Sequence, residues 1–389
     1  MKITCNRETL ANSFALAQNA VKSQSPKPIL RNVKLEVVNN EIVLFATDME
    51  MGIRVTLPCE EVGDPGCIML PADRVMALLR ESRAEMVTIE SDRTKTVISA
   101  DSRFVFATED PDEFPGTPIF EENNYIVTKA RYIKEGIRRT IFATDSESGR
   151  FALSGVLMDY KDNTLSFVST DGRRMAAQQV EASVQGEYPS EKTAVATVRS
   201  LTLLDRLLQH GDADVSIVLQ DSTFMIQSEN VFYYASLLEG RFPEWRAAIG
   251  QLRNPQSVEL PIQLFSQAIR LASIVTDKAS PGVVMELENN QMTVSALNIE
   301  RGEMEKSFAL DYPEGEMAMK LNGEYVAAFL KTVSEDTVVK MNFVDERTGV
   351  LFETSDGYRY LVMPMQLDRK KKVETAQEVA EDAEDMSQE

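Results

Sequence analysis

The chain has 389 residues, 43% of them hydrophobic, which is too long for one core and suits two or three. No uncharged apolar run approaches the roughly 18 residues of a membrane span, and the opening Met1-Lys2-Ile3-Thr4-Cys5-Asn6 turns polar too soon for a signal peptide. A net charge of −20 argues against a nucleic-acid partner for the surface as a whole, but not for one basic lining inside an acidic molecule.

In chain order, one pattern recurs three times at a spacing of roughly 125 residues. The first copy opens with a strand and an amphipathic helix over Met1 to Val21, with Leu10, Phe14, Ala17 and Val21 on one stripe. Two strands follow, Val33 to Val37 and Glu41 to Thr47, around the turn pair Asn39-Asn40. A short strand at Ile68 to Leu70 leads into a second helix, Ala72 to Arg80, and three strands within Met86 to Thr108 close the copy. The second copy starts at Tyr125 and runs through a helix marked by Ile133, Ile137 and Ile141. It continues with a hairpin around Asp162-Asn163, a helix from Arg199 to Leu208, and strands from Asp214 to Leu237. The third starts at Val258, with a helical stripe of Leu264, Ala268, Leu271 and Val275. A hairpin at Asn289-Asn290, a helix from Gly323 to Val333 and strands from Thr337 to Met363 complete it.

The pattern predicts an α+β fold of three repeated domains, 1–121, 125–250 and 256–367, each with two helices on one face of antiparallel sheet. From Arg369 a basic run passes into the acidic Glu374 to Glu389, a composition expected to be disordered. Cys5, Cys59 and Cys67 are too few for a disulfide framework and are expected to be free thiols in a cytoplasmic protein.

Catalytic signals are poor. His210 is the only histidine, no phosphate-binding or dinucleotide glycine motif is present, and Asp48 and Asp171 at matching positions read as turn formers. No cofactor, metal or active site is expected. A carboxylate–metal nucleic-acid enzyme on repeated domains is the competing class.

Three segments carry a resemblance: Ser169-Thr170-Asp171-Gly172-Arg173-Arg174-Met175, Glu239-Gly240-Arg241-Phe242-Pro243-Glu244-Trp245, and Tyr360-Leu361-Val362-Met363-Pro364-Met365-Gln366-Leu367. Together with the repeat order over 1–367, they are similar to the bacterial DNA polymerase III beta subunit, the beta sliding clamp family. The resemblance implies a DNA replication processivity factor: a head-to-tail homodimer closing into a ring around duplex DNA, helices inward. It implies sequence-independent DNA contact and a separate ATP-driven clamp loader. It also implies that the replicative polymerase and other clients dock through short linear peptides. A clamp-like regulator that never encircles DNA is a further alternative.

On that reading, the basic residues of the inner helices, Arg7, Arg74, Arg80, Arg131, Lys134, Arg138, Arg199 and Arg206, face DNA; Lys22, Lys27 and Arg150 join them from loops or helix ends. The client groove between the second and third domains would include Leu153, Thr170, Gly172, Arg174, Met175, Pro243, Asn322, Tyr325, Val350, Leu361, Met363, Pro364 and Met365. Arg173 and Gln366 depart from the His and Arg common at those points in the family. Phe104 and Phe106 alternate on a terminal strand whose open edge invites pairing with another chain. Ile274 and Val275 occupy the matching place in the third domain, near acidic Glu300, Glu303 and Glu305, with which Arg103 is expected to pair.

Overall fold

The computed structural model describes residues 1–367 apart from 23, 93, 119, 121–122, 146–150 and 313–314. Arg150 and the tail from 368 therefore lie outside the described residues. The first repeat holds β1 (Lys2–Asn6), α1 (Arg7–Gln18), β2 (Asn32–Val38), β3 (Glu41–Thr47) and β4 (Met51–Pro58). It continues with β5 (Glu61–Asp64), β6 (Cys67–Pro71), α2 (Ala72–Glu81), β7 (Met86–Ser91), β8 (Lys95–Ser99) and β9 (Arg103–Ala107). The second has β10 (Tyr125–Lys129), α3 (Ala130–Thr140), β11 (Gly155–Lys161), β12 (Thr164–Thr170) and β13 (Arg174–Glu181). After these come β14 (Ser183–Gln185), β15 (Glu191–Thr197), α4 (Val198–Leu207), β16 (Asp214–Leu219), β17 (Thr223–Ser228), β18 (Val231–Ser236) and the short α5 (Trp245–Ile249). The third comprises β19 (Gln256–Leu260), α6 (Ile262–Val275), β20 (Gly282–Glu288), β21 (Gln291–Asn298) and β22 (Gly302–Ala309). It ends with β23 (Met317–Asn322), α7 (Gly323–Leu330), β24 (Val339–Phe343), β25 (Val350–Thr354) and β26 (Tyr358–Val362).

Local chemistry explains the punctuation. All three hairpin turns place two consecutive residues at positive φ: Asn39 and Asn40, Asp162 and Asn163, Asn289 and Asn290. Asn and Asp tolerate that region because their short polar side chains bond locally, and such a turn matches the twist of the strands it joins. At the starts of α1 and α4 a side chain satisfies an orphan amide: Asn6 accepts from the Thr9 N–H at 3.0 Å and Thr197 from the Ser200 N–H at 3.0 Å. Within each repeat the two helices pack as a pair, α1 with α2, α3 with α4, and α6 with α7.

The three repeats form two compact units. The first comprises 1–169 with 179–242. In it, a five-stranded sheet runs β5-β1-β7-β8-β9, and a nine-stranded sheet runs β14-β10-β16-β17-β18-β4-β3-β2-β6. The nine-stranded sheet crosses the repeat boundary, because β4 pairs with β18, Val55 opposite Val231 and Met51 opposite Ala235. Its inner face carries the main core, with Phe14, Ile53, Leu79, Ile133, Phe167, Leu204 and Tyr233 all buried.

The second unit comprises 170–178 and the chain from Pro243. The first half of β13 pairs there with β26, which continues through β25 and β24 to β19. A four-stranded sheet runs β22-β21-β20-β23. Its core is aromatic: Phe329 stacks on Tyr358 and Tyr360, with ring centroids 5.4 and 5.2 Å away, and Phe352 packs against Phe265.

One predicted stripe is corrected. Leu264 and Leu271 are 41% and 36% exposed, and α6 instead buries Ile262, Phe265, Ala268, Ile269, Ala272 and Val275. The helix is apolar on more than one face, so several three- and four-residue stripes run through it, and spacing alone selects none of them.

Candidate functional site

The residues expected to line a peptide groove lie, save for one, in the second unit. At their base is the turn before β13. The Thr170 hydroxyl donates to the Arg174 carbonyl at 2.7 Å and accepts from the Gly172 N–H at 3.0 Å. The Asp171 carboxylate accepts from the Arg173 and Arg174 N–H groups, both at 2.9 Å, and pairs with Arg174 Nε at 2.9 Å. Gly172 sits at φ +83°, where a side chain is strained. So braced, the Arg174 guanidinium lies over the Tyr325 ring, 4.3 Å from its centroid.

Tyr325 stands in the first turn of α7, which Asn322 caps by accepting from the Glu324 and Tyr325 N–H groups at 2.9 and 3.4 Å. The Tyr360 hydroxyl donates to the Tyr325 carbonyl at 3.0 Å. Burial pushes the Tyr360 phenol above its ordinary range, and the adjacent Arg174 cation pulls it part of the way back.

After β26 the backbone is fastened at alternate residues. The Met363 N–H donates to the Arg173 carbonyl at 2.8 Å and the Met365 N–H to the Lys320 carbonyl at 2.7 Å. Pro364 between them has no N–H, so no donor is orphaned. A Cβ on Gly349 would meet Leu361 Cδ1 at 2.8 Å and Met363 Sδ at 3.3 Å, so glycine is needed for these side chains to lie as they do. Met363 is 46% exposed, with Leu361, Pro364 and Met365 half-buried around it. The result is a rigid polar frame under a soft apolar rim, suited to several short apolar ligands.

Of the remaining expected residues, Thr170, Met175 and Val350 are buried and can only support the surface, while Pro243 is exposed. Leu153 belongs to the first unit, buried, its carbonyl accepting from the Asp145 N–H at 2.8 Å. Asp171, expected as a turn former, also holds the Arg174 side chain. Sequence reasoning missed the holding groups Gly349 and the Lys320 carbonyl, which act through space and backbone and leave no local signal.

The expected DNA-facing residues divide. Lys22, Lys27, Arg74, Arg80 and Arg206 are exposed and have no acidic partner among the described residues. Others share their charge: Arg131 pairs with Asp212, Arg138 with Asp205 at 3.1 Å, Lys134 with Asp205 at 3.5 Å, and Arg199 with Asp48 at 2.6 Å. Arg7 is corrected. Its guanidinium donates to the Leu79 and Ala84 carbonyls, both at 3.0 Å, tying α1 to the end of α2 instead of reaching into solvent.

Two of the open sheet edges carry the expected interface residues. β9 ends the five-stranded sheet, with Arg103, Phe104 and Val105 exposed and Phe106 half-buried. β22 ends the four-stranded sheet, with Glu303 and Glu305 exposed and Glu300 exposed just before it. Beside it Ile274 is 69% exposed, whereas Val275 is 8% exposed and faces inward, which corrects its place among the interface residues.

No group of three His, Cys, Asp or Glu among the described residues could hold a metal ion, and His210 is exposed. No helix among them is long and apolar enough to cross a membrane.

Models of three domains match the chain: the N-terminal domain of DNA polymerase III beta subunit over residues 1–118, the central domain over 128–244 and the C-terminal domain over 253–366. Beta sliding clamps of Salmonella typhimurium and Pseudomonas putida are 27% and 26% identical, each comparison covering 94% of this chain and 100% of the relative. A crystal structure of a Pseudomonas aeruginosa sliding clamp, DNA polymerase III subunit beta, bound to griselimycin, is similar with a TM-score of 0.87 and 25% identity. That likeness covers 94% of this chain and 100% of the other.

Proposed function

The chain belongs to the DNA polymerase III beta subunit family, and from that membership we propose that it is a cytoplasmic sliding clamp without turnover of its own. Two copies close into a ring around duplex DNA and hold the replicative polymerase and other clients to it. The observation that carries this reading is the pair of open edges. Within one chain, β4 of the first repeat pairs with β18 of the second and fuses two repeats through one sheet. β9 and β22 offer the same opportunity between copies. One edge is apolar and carries Arg103, the other is flanked by Ile274 and acids. Apolar burial supplies most of the adhesion, and the exposed charges mainly set which edges meet.

Hold on DNA then comes from enclosure. Lys22, Lys27, Arg74, Arg80 and Arg206 supply weak phosphate contacts without reading bases, and the acids beside Arg131, Lys134, Arg138 and Arg199 moderate the attraction further. Loose contact of this kind permits sliding. An ATP-driven loader opens the ring, and client peptides dock on the Met363 rim.

Retention on plasmid DNA tests the proposal. After loading, the protein should stay with nicked circular plasmid through gel filtration and leave once a restriction enzyme linearises it. Equal retention on both forms would sink the ring.

A further inference from the structure

A second polar groove lies on the outer face of the nine-stranded sheet, apart from the chain-end rim and the open edges. Cross-strand register sets Lys34 opposite Phe45, Phe45 opposite Arg54, and Arg54 opposite Phe232. Side chains of one row share a face, so two cations alternate with two aromatic rings. The segment linking the first two repeats crosses this row. Phe114 packs edge-on against Phe45 with centroids 5.6 Å apart, Phe120 lies 6.3 Å from Phe232, and Pro115, Gly116 and Thr117 form one wall of a groove of about 340 Å³.

Arg54 is half-buried there, its guanidinium 4.7 Å from the Phe232 centroid. Among the described residues no acid pairs with it, and burial holds its pKa below the usual guanidinium range. A desolvated cation ordinarily has an anion beside it. Lys34 is likewise without an acidic partner among the described residues. One row along the strands stands Glu36, level with Val43 and Thr56; Glu41 stands in the row after that. Each step is about 7 Å, the length of two residues of extended chain. The acids disfavour a polyanion such as nucleic acid, while the alternation of charge matches an extended peptide.

We propose that this groove binds an extended protein segment carrying an acidic residue and, two positions along, a basic one. The carboxylate lies between Arg54 and Lys34, and the basic side chain reaches Glu36. The site shares no residue with the chain-end rim.

The test uses the full chain and a Val-Glu-Ser-Lys-Val-amide probe carrying fluorescein on its N-terminus, read by anisotropy. Saturable binding is expected. Arg54→Gln should weaken it about tenfold or more, as should replacing the probe's Glu by Gln, since each removes a charge-assisted bond. Lys34→Gln, at a half-buried strand position, should weaken it less and carries the test if Arg54→Gln fails to fold. Met363→Ala should leave it unchanged. The proposal is overturned by absence of saturation, by undiminished affinity in the folded groove variants, by loss of binding in Met363→Ala, or by displacement of the probe by short duplex DNA.

Discussion

Single side chains set much of the local geometry, and Asp92 shows how that becomes pH dependence. Its carboxylate accepts from the Thr94 hydroxyl at 2.7 Å, the Thr94 N–H at 2.8 Å and the Lys95 N–H at 2.9 Å. Those bonds, the Thr94 hydroxyl foremost, hold its pKa down from 3.8 to about 2. The ionised form therefore favours folding: the contribution is whole above the ordinary value and fades as pH falls through about 2. Asp92→Asn should unfold at lower urea than the parent at neutral pH, and the two curves should converge near pH 2. Cys5 is the opposite case, an interior thiol that burial pushes up to about 12. A thiol reagent at pH 8 should leave Cys5 unlabelled until denaturant is added, since reaction requires the thiolate. At this scale the sequence was read unevenly. Asp171 was legible as a turn former, but Arg7 was read by its charge, and only the fold reveals that carbonyls of Leu79 and Ala84 occupy it.

Elements were more legible than side chains, because period and punctuation are local. Each of the three hairpins sits on the Asn/Asp pair that announced it, and α2 and α4 lie within a residue or so of expectation. The failure at α6 has a physical cause: Leu264 and Leu271 border the polar face of Gln263, Gln267, Arg270 and Ser273, and such border residues fit a three- and four-residue stripe as well as the buried Phe265 and Ala272 do. α5 was not foreseen, as five residues are too few to show a period. Packing between elements is also invisible in sequence, and Gly136 illustrates its force. A Cβ at this position of α3 would collide with the Phe167 ring on β12. Although alanine is the better helix former by about 1 kcal/mol, Gly136→Ala should lower stability by about 1–3 kcal/mol through overpacking. Urea denaturation read by circular dichroism measures it; a more stable variant would show that α3 can move away from the sheet.

For the whole molecule, the sequence announced three repeats, and the chain gathers them as two compact units. Repetition is visible in a single line of residues, whereas pairing between Val55 and Val231 is a relation across the chain that no local signal records. The proposed ring makes a demand at the same scale. Phe104→Glu together with Ile274→Glu would set charge on two surfaces that must lose water, at a cost of at least about 2 kcal/mol for each lost apolar contact. Light scattering should then report half the parent mass, with circular dichroism unchanged. A variant that kept the parent mass would place the contact elsewhere.

The strand pairing across the first repeat boundary also bears on biosynthesis. β4 leaves the ribosome early, but its partner β18 emerges on the order of ten seconds or more afterwards at ordinary rates of translation. During that interval an apolar strand waits with one flank bare, the situation that recruits chaperones or wrong neighbours. Slowing elongation between the two should therefore lower the yield of native protein, and a chain released after the first repeat should aggregate.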